Sequence, residues 1–521
     1  MTKKNKYLLF FLFLILILFF LKIDYRYKSD WTCCSDEFDY YAHIKTIVED
    51  KDFDYINQFG DYKDARNIIN DKPTPIGFIG TSFLTVPFYI FGKFLSNFEN
   101  INNNSLNNFE IAMTSLSSTF YLFLTFIFFI KISNLLNFKK SHLEILLLLL
   151  GSGLTYFAFE RYLMPHVFEV FTITLVFYFA IKFFKTESKM YISLLPYAIL
   201  LALLVRWTNY HVLLVPVILK YLFFSSKQIS RYKGVLFVNS TLALFLFLQI
   251  NKLIYGTYTL NPLMIYSSDS SRVDQFFYNL YSEPITTITY SFKAFLLILF
   301  GPEFGLLWFS PIIFLGIIKL FLLKKNISTL LIFLCFAYQF SIVILWGTAA
   351  SSYGFRYLLC LIPFSYIVLL SSKKILYEKY YIYIFSFFGF ISTLLFETTN
   401  KTQLSINEVI NSFGTITKYA QPDYLYGVIE AVTKLDSWII VFATSLLFSL
   451  FLKLIFLFIG KDLVISQLAG FGLPVENKDF ETLLYNVQNT PNLIYLAYVL
   501  FTSAIVLYYI SFRNKTLESK L

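Results

Sequence analysis

The chain is 521 residues long, 57% hydrophobic and 15% charged, against about 25% charged residues in an average soluble chain. That balance excludes an ordinary water-soluble globular protein. The net charge of +10 does not point to nucleic acid, because Lys and Arg collect in short loops between apolar runs, as the positive-inside rule expects.

The four cysteines define no disulfide framework. Cys335 and Cys360 sit in or near apolar runs as small hydrophobes, and Cys33 and Cys34 are adjacent in a polar loop. Apolar runs of about 18 or more residues recur along the whole length and are continuous rather than alternating, which predicts helices and not a membrane barrel. The predicted fold class is an all-α polytopic membrane protein of about 11–13 transmembrane helices, with an acidic first outer loop and interfacial helices.

In chain order, Lys3, Lys4 and Lys6 precede the apolar run Tyr7–Leu21, which shows no small-residue cleavage site. It is predicted to be an uncleaved first span with the N-terminus in the cytoplasm. The segment Asp24–Lys72 then lies outside; it holds twelve Asp or Glu against seven Lys or Arg. The Gly- and Pro-containing stretch Pro73–Gly92 predicts an interfacial helix, and an asparagine-rich turn follows at Asn100–Asn108. Loop charge then predicts alternating spans at Phe109–Ile130, Leu143–Phe159, His166–Lys182, Tyr191–Val205, Tyr210–Phe224 and Val235–Ile254. After an outer loop, Gly256–Pro284, and a second interfacial helix at Tyr290–Phe300, spans are predicted at Leu306–Leu323, Leu330–Leu345, Tyr357–Leu370 and Tyr381–Phe396. Glu397–Asp436 reads as a long polar loop. Two final spans, Trp438–Ile459 and Leu493–Ile510, leave the tail with Arg513 and Lys515 outside, against the charge rule.

The polar residues with chemical potential fall at predicted outer corners. In Asp36-Glu37-Phe38-Asp39-Tyr40-Tyr41-Ala42-His43, helical spacing puts Asp36, Tyr40 and His43 on one face. A carboxylate at the outer membrane surface can take a proton from an acceptor hydroxyl or amine, so Asp36 is the candidate base and Glu37 the second candidate. The plainer reading is a solvated loop carboxylate. A metal site from Cys33, Cys34, Asp39 and His43 matches no standard ligand spacing. Arg161 and His166 share a second corner, Arg206 marks a third and Arg356 a fourth. A single arginine at a helix end is commonly a snorkelling side chain. Three at outer corners oppose the usual inner bias, and binding of an anionic lipid headgroup gives a reason for them.

Several stretches resemble the GT-C superfamily of polytopic glycosyltransferases, in the bacterial branch similar to protein O-mannosyltransferases and the lipid A aminoarabinose transferase. Asp36-Glu37-Phe38-Asp39-Tyr40-Tyr41-Ala42 resembles that family's acidic motif in the first outer loop. Thr74-Pro75-Ile76-Gly77-Phe78-Ile79-Gly80 through Gly92 is similar to its interfacial helix. Arg161–His166 resembles the corner between the third and fourth spans. Phe304–Pro311 is similar to a Gly-Leu-Leu…Ser-Pro stretch, and Tyr353-Gly354-Phe355-Arg356-Tyr357-Leu358 through Pro363 resembles a Gly-x-Arg-Tyr-Leu…Pro motif. The likeness covers roughly Lys6–Leu370. The chain departs from the pattern at Cys360, where many relatives have proline, and at Ala350–Tyr353, which replaces a more Gly/Trp-rich run.

The resemblance implies a catalytic transmembrane module over residues 1–372, including the outer loop 24–108, and leaves the C-terminal helices and loops of 373–521 unassigned. It implies an inverting transfer of sugar from a polyprenyl-phosphate donor to a lipid, glycan or protein acceptor on the outer face of a plasma membrane. Asp36, with Glu37 in reserve, would act on the acceptor; Arg161, His166, Arg206 and Arg356 would bind the donor phosphate. It implies no certain cofactor, and a divalent ion on Asp36, Glu37 and Asp39 stays open. The rival readings are a lipid or glycan transporter or flippase, and a non-catalytic membrane scaffold.

Overall fold

The computed structural model describes residues 14–15, 17–23, 34–59, 68–69, 72–97, 109–138, 141–224, 230–260, 267–302, 304–346, 353–372, 375–396, 408–410, 416–418, 424–443, 445–470 and 478–518. Cys33, the start of the first predicted span, the asparagine-rich turn and Ala350–Ser352 lie outside the described residues. The described chain is helical, with two short antiparallel ribbons of two strands each, Ile68–Ile69 with Lys72–Pro73 and Glu408–Ile410 with Ile416–Lys418.

Five described helices are long and apolar enough to cross a membrane: Phe109–Leu135, His166–Thr186, Lys233–Tyr255, Ile327–Leu345 and Asn492–Arg513. Helix α1 (Cys34–Lys45) carries the acidic motif, and α2 (Ile79–Ser96) follows it. The first long run then begins as Phe109–Thr114 and continues as α3 (Leu116–Leu135). At the centre are α4 (His166–Thr186) and α5 (Lys189–Val205). Nearly the whole length of α4 is buried, as expected of a helix apolar all round. Lys233–Tyr255 lies at the periphery and exposes Phe237, Val238, Leu242 and Phe245.

Several stretches predicted as single spans are interrupted. Leu143–Phe159 divides into His142–Leu150 and Leu154–Phe159. Ser141 caps the first piece by accepting from the Glu144 amide at 3.1 Å, a capping box. The break at Gly151–Gly153 is fixed by α6 (Glu378–Leu395), which crosses so closely that a Cβ on Gly151 would lie 2.4 Å from the Ser386 carbonyl, and one on Gly389 2.4 Å from that of Gly151. Small residues at both positions allow the backbones to meet. The runs at Tyr210 and Tyr357 open as 3-10 segments, Trp207–Leu214 and Arg356–Leu361, before α-helices take over at Val215 and Ile362. Pro216 and Pro363 stand in the first turn of those helices, where a missing amide hydrogen costs nothing. The loops predicted at 256–284 and 397–436 contain helices of their own, Ser267–Ser282 and Tyr424–Thr433.

The C-terminal part departs from the predicted single span at Trp438–Ile459. Trp438–Ile459 is broken near Ser445, and α7 (Leu446–Ile459) begins where the Leu446 amide donates to the Leu21 carbonyl at 2.7 Å. The neighbouring Lys22 pairs with Glu160, next to Arg161. Helix α8 (Asn492–Glu518) starts at the same end: the Tyr498 hydroxyl donates to the Ala112 carbonyl at 2.7 Å. It descends alongside α3 until Tyr509 reaches His142 and Phe512 lies over Lys131. Helices Leu446–Ile459 and Lys478–Asn489 pack together beside the end of the bundle where α8 starts. Lys453 links the two by donating to the Gln488 and Thr490 carbonyls. Arg513 lies at the Lys131 end of the bundle. The C-terminal helices share the main core: Phe390, Leu394 and Tyr509 are buried with Phe126, Phe168 and Ile313 in one cluster.

A carboxylate and arginine cluster as the candidate active site

Helix α1 is pinned by its own polar residues. Asp39 Oδ2 accepts from the amides of Ile76 and Gly77 at 2.9 and 3.2 Å. The His43 ring lies between the Gly77 carbonyl, 2.8 Å from Nε2, and the Tyr55 hydroxyl, 2.7 Å from Nδ1. A carbonyl can only accept, so Nε2 carries the proton and Nδ1 accepts from Tyr55. Burial holds the His43 imidazole neutral, its pKa pushed down to about 4. Ser82 in α2 donates to the Tyr40 carbonyl at 2.7 Å. Gly77 is required here, since a Cβ would come within 2.9 Å of the Tyr40 ring.

These contacts set the directions of three carboxylates. Asp39 turns to the backbone of the Ile76–Gly77 turn. Glu37 is fully buried, with Oε1 3.1 Å from Arg161 Nε. Asp36 is half-exposed, and its Oδ2 lies 3.8 Å from Arg356 Nη2. The three acids diverge, and among the described residues no group of three or more His, Cys, Asp or Glu side chains is placed to hold a metal ion. His43 has both ring nitrogens engaged, which removes it from the Cys33, Cys34, Asp39 and His43 set.

The arginines converge on α1 from three other elements. Arg206 ends α5; its guanidinium lies 4.1 Å from the centre of the Tyr357 ring. Its Nη1 is 3.2 Å from His166 Nδ1 and 3.5 Å from Glu169 Oε2. Arg356 approaches the same ring at 5.4 Å. Arg161, Arg206 and Arg356 all lie within electrostatic reach of His166. The Tyr40 hydroxyl is buried among Arg206, Asp36, Asp39 and Tyr357, and burial raises its pKa. The structure thus brings Asp36, Glu37, Arg161, His166, Arg206 and Arg356 into one cluster. His166 is itself fully buried against the Phe157 ring.

The loop bearing Arg356 is anchored through Tyr353, which packs against Tyr156, Phe304 and Phe396 and exchanges a hydrogen bond with Ser392 at 2.5 Å. A small cavity beside Arg356 is lined by Ser152, Gly153, Ser310, Tyr353 and Gly354.

Two members of the cluster are not singled out by the sequence as site residues, Glu169 and Tyr357. Glu169 had a readable signal: an acid in the first turn of an apolar span, three positions after His166 and so on the same helix face. Tyr357 had none beyond its place next to Arg356. Comparison with known protein families, with curated proteins and with solved structures finds no match for this chain.

Proposed function

We propose that this chain is a multi-pass membrane glycosyltransferase of GT-C type, which moves a sugar from a polyprenyl-phosphate donor to an acceptor at the outer membrane face. The observation that carries the reading is a half-exposed carboxylate, Asp36, which faces Arg356 in a cluster that also holds the Arg161–Glu37 and Arg206–Glu169 pairs, beside long apolar helices. The lysines and arginine at the other end of those helices, Lys131, Lys182 and Arg513, mark the cytoplasmic side. The donor's hydrocarbon tail then stays in lipid, and its phosphate reaches the end where the three guanidinium groups lie.

In this reading Asp36 takes the proton of the acceptor hydroxyl or amine as that atom bonds to the anomeric carbon. The bond from that carbon to the phosphate oxygen breaks, the electron pair leaves with the phosphate, and nearby guanidinium groups stabilise the developing charge. Attack opposite the leaving group inverts the anomeric centre. Glu37 is assigned to holding Arg161, because a fully buried carboxylate paired at 3.1 Å has no path to an acceptor.

The test is rescue of a deletion strain with wild type or Asp36→Asn at matched protein levels, followed by analysis of surface glycans. Loss of one sugar with Asp36→Asn supports the reading and names the transferred residue. Full restoration by Asp36→Asn removes Asp36 as the base; no glycan change on deletion favours transport or scaffolding.

A further inference from the structure

The three arginines of the cluster are not equivalent. Arg161 faces Glu37 at 3.1 Å, and Arg206 faces Glu169 at 3.5 Å while packed on Tyr357; both carboxylates are essentially fully buried. Pulling Arg161 away strands the buried Glu37 carboxylate, which is strongly unfavourable, and pulling Arg206 away gives up its packing on Tyr357 as well as its contact with Glu169. Arg356 differs. Its partner Asp36 is 46% exposed and the contact is long, 3.8 Å. Water replaces such a pair at little cost. Arg356 borders the small cavity lined by Ser152, Gly153 and Ser310, and Gly354, two residues before it, has φ +67.

Resting on the reading above, we propose that Arg356 exchanges partners: it pairs with Asp36 while no anion is present and transfers to the phosphate of an anionic lipid when one binds, so that phosphate binding unmasks the Asp36 carboxylate. Two groups compete for one guanidinium, and the coupling is reciprocal. Phosphate binding frees Asp36, and removing the charge of Asp36 strengthens phosphate binding. The order of events follows: the donor enters first, and the base becomes competent only in its presence.

The experiment is a titration of the full chain in lipid nanodiscs with a polyprenyl monophosphate, followed by native mass spectrometry. The neutral polyprenol serves as control, and inorganic phosphate is titrated separately. Asp36→Asn is expected to tighten lipid-phosphate binding by about 5- to 10-fold, within the usual range of site coupling. Arg356→Gln weakens it, and in the Arg356→Gln background Asp36→Asn has no further effect. An equal gain from Asp36→Asn in both backgrounds overturns the exchange and leaves only a general field effect. Loss of affinity in Arg356→Gln with no gain in Asp36→Asn also overturns it, while the glycosyltransferase reading stands. Wild type binding polyprenol and polyprenyl phosphate equally well overturns both. If inorganic phosphate shows the Asp36→Asn gain and the lipid does not, the anion is a soluble one and the lipid assignment fails.

Discussion

Glu37 and Arg161, separated by 124 positions, form a buried ion pair that ties helix α1 to the turn preceding α4. The pair gives Glu37 a structural task and separates it from its neighbour Asp36. Breaking such a pair from one side costs about 3–5 kcal/mol, because the remaining charge stays buried. Glu37→Ala should therefore lower the thermal midpoint of the purified protein by several degrees, and Glu37→Gln, which keeps an acceptor for Arg161, by less. Retention of full stability together with abolished sugar transfer in Glu37→Gln would make Glu37 a chemical residue instead.

Asp36 should behave in the opposite way. It is half-exposed and its contact with Arg356 is long, so Asp36→Asn should leave the unfolding free energy within about 0.5 kcal/mol of wild type. Loss of a general base lowers turnover by about 10²- to 10⁴-fold. Both quantities can be read from one preparation, by thermal melting and by transfer of labelled sugar from a lipid donor.

The neutral His43 makes the packing of α1 sensitive to acid. In the unfolded chain this imidazole takes up a proton near pH 6.5, and in the folded chain near pH 4. Between those values the unfolded state binds more protons, so stability rises with pH there. The contribution is complete above pH 6.5 and is lost as pH falls toward 4, at up to about 1.4 kcal/mol per pH unit. His43→Gln, which can still donate to the Gly77 carbonyl, should flatten this part of the stability profile between pH 6.5 and 4. An unchanged slope would place the acid sensitivity elsewhere.

Gly80 sets the position of Arg206. A Cβ at residue 80 would lie 2.4 Å from both the Leu204 carbonyl carbon and the Val205 amide nitrogen, backbone atoms that cannot step aside. Gly80→Ala should push the end of α5 away from α2, destabilise by about 1–3 kcal/mol as overpacking does, and displace Arg206 from Tyr357. The prediction is a loss of donor affinity larger than that of Gly234→Ala, a position with nothing within 4 Å. Equal effects at the two glycines would rule it out.

The helical class was legible because it rests on local pattern, the unbroken apolar runs, whereas the stretch of Asp36 reads as part of an outer loop and forms the helix Cys34–Lys45. The gathering of Arg161, Arg206 and Arg356 at one end was legible from parity, since each follows or precedes an apolar run on the same side. What composition hid was pairing across distance. Nothing near Glu37 announces Arg161, and nothing near Lys453 announces the carbonyls of Gln488 and Thr490. The break within Trp438–Ile459 was missed for that reason, because an apolar run long enough to span looks the same when it is interrupted. The 3-10 openings at Trp207 and Arg356 were invisible because an apolar stretch does not distinguish three residues per turn from 3.6.

The mutual contact of Gly151 and Gly389 carries a mechanical consequence. Two backbones that already touch through missing side chains cannot slide or close further, so this crossing acts as a fixed fulcrum between the turn at Gly151 and helix α6. Tyr353 rests a ring against Gly153, two residues along, and hydrogen-bonds to Ser392 of α6, three residues after Gly389. The segment carrying Arg356 is thus tied at Tyr353 to a crossing that cannot close further, so a change of partner by Arg356 calls for rotamer changes of its own side chain rather than for helices shifting past one another.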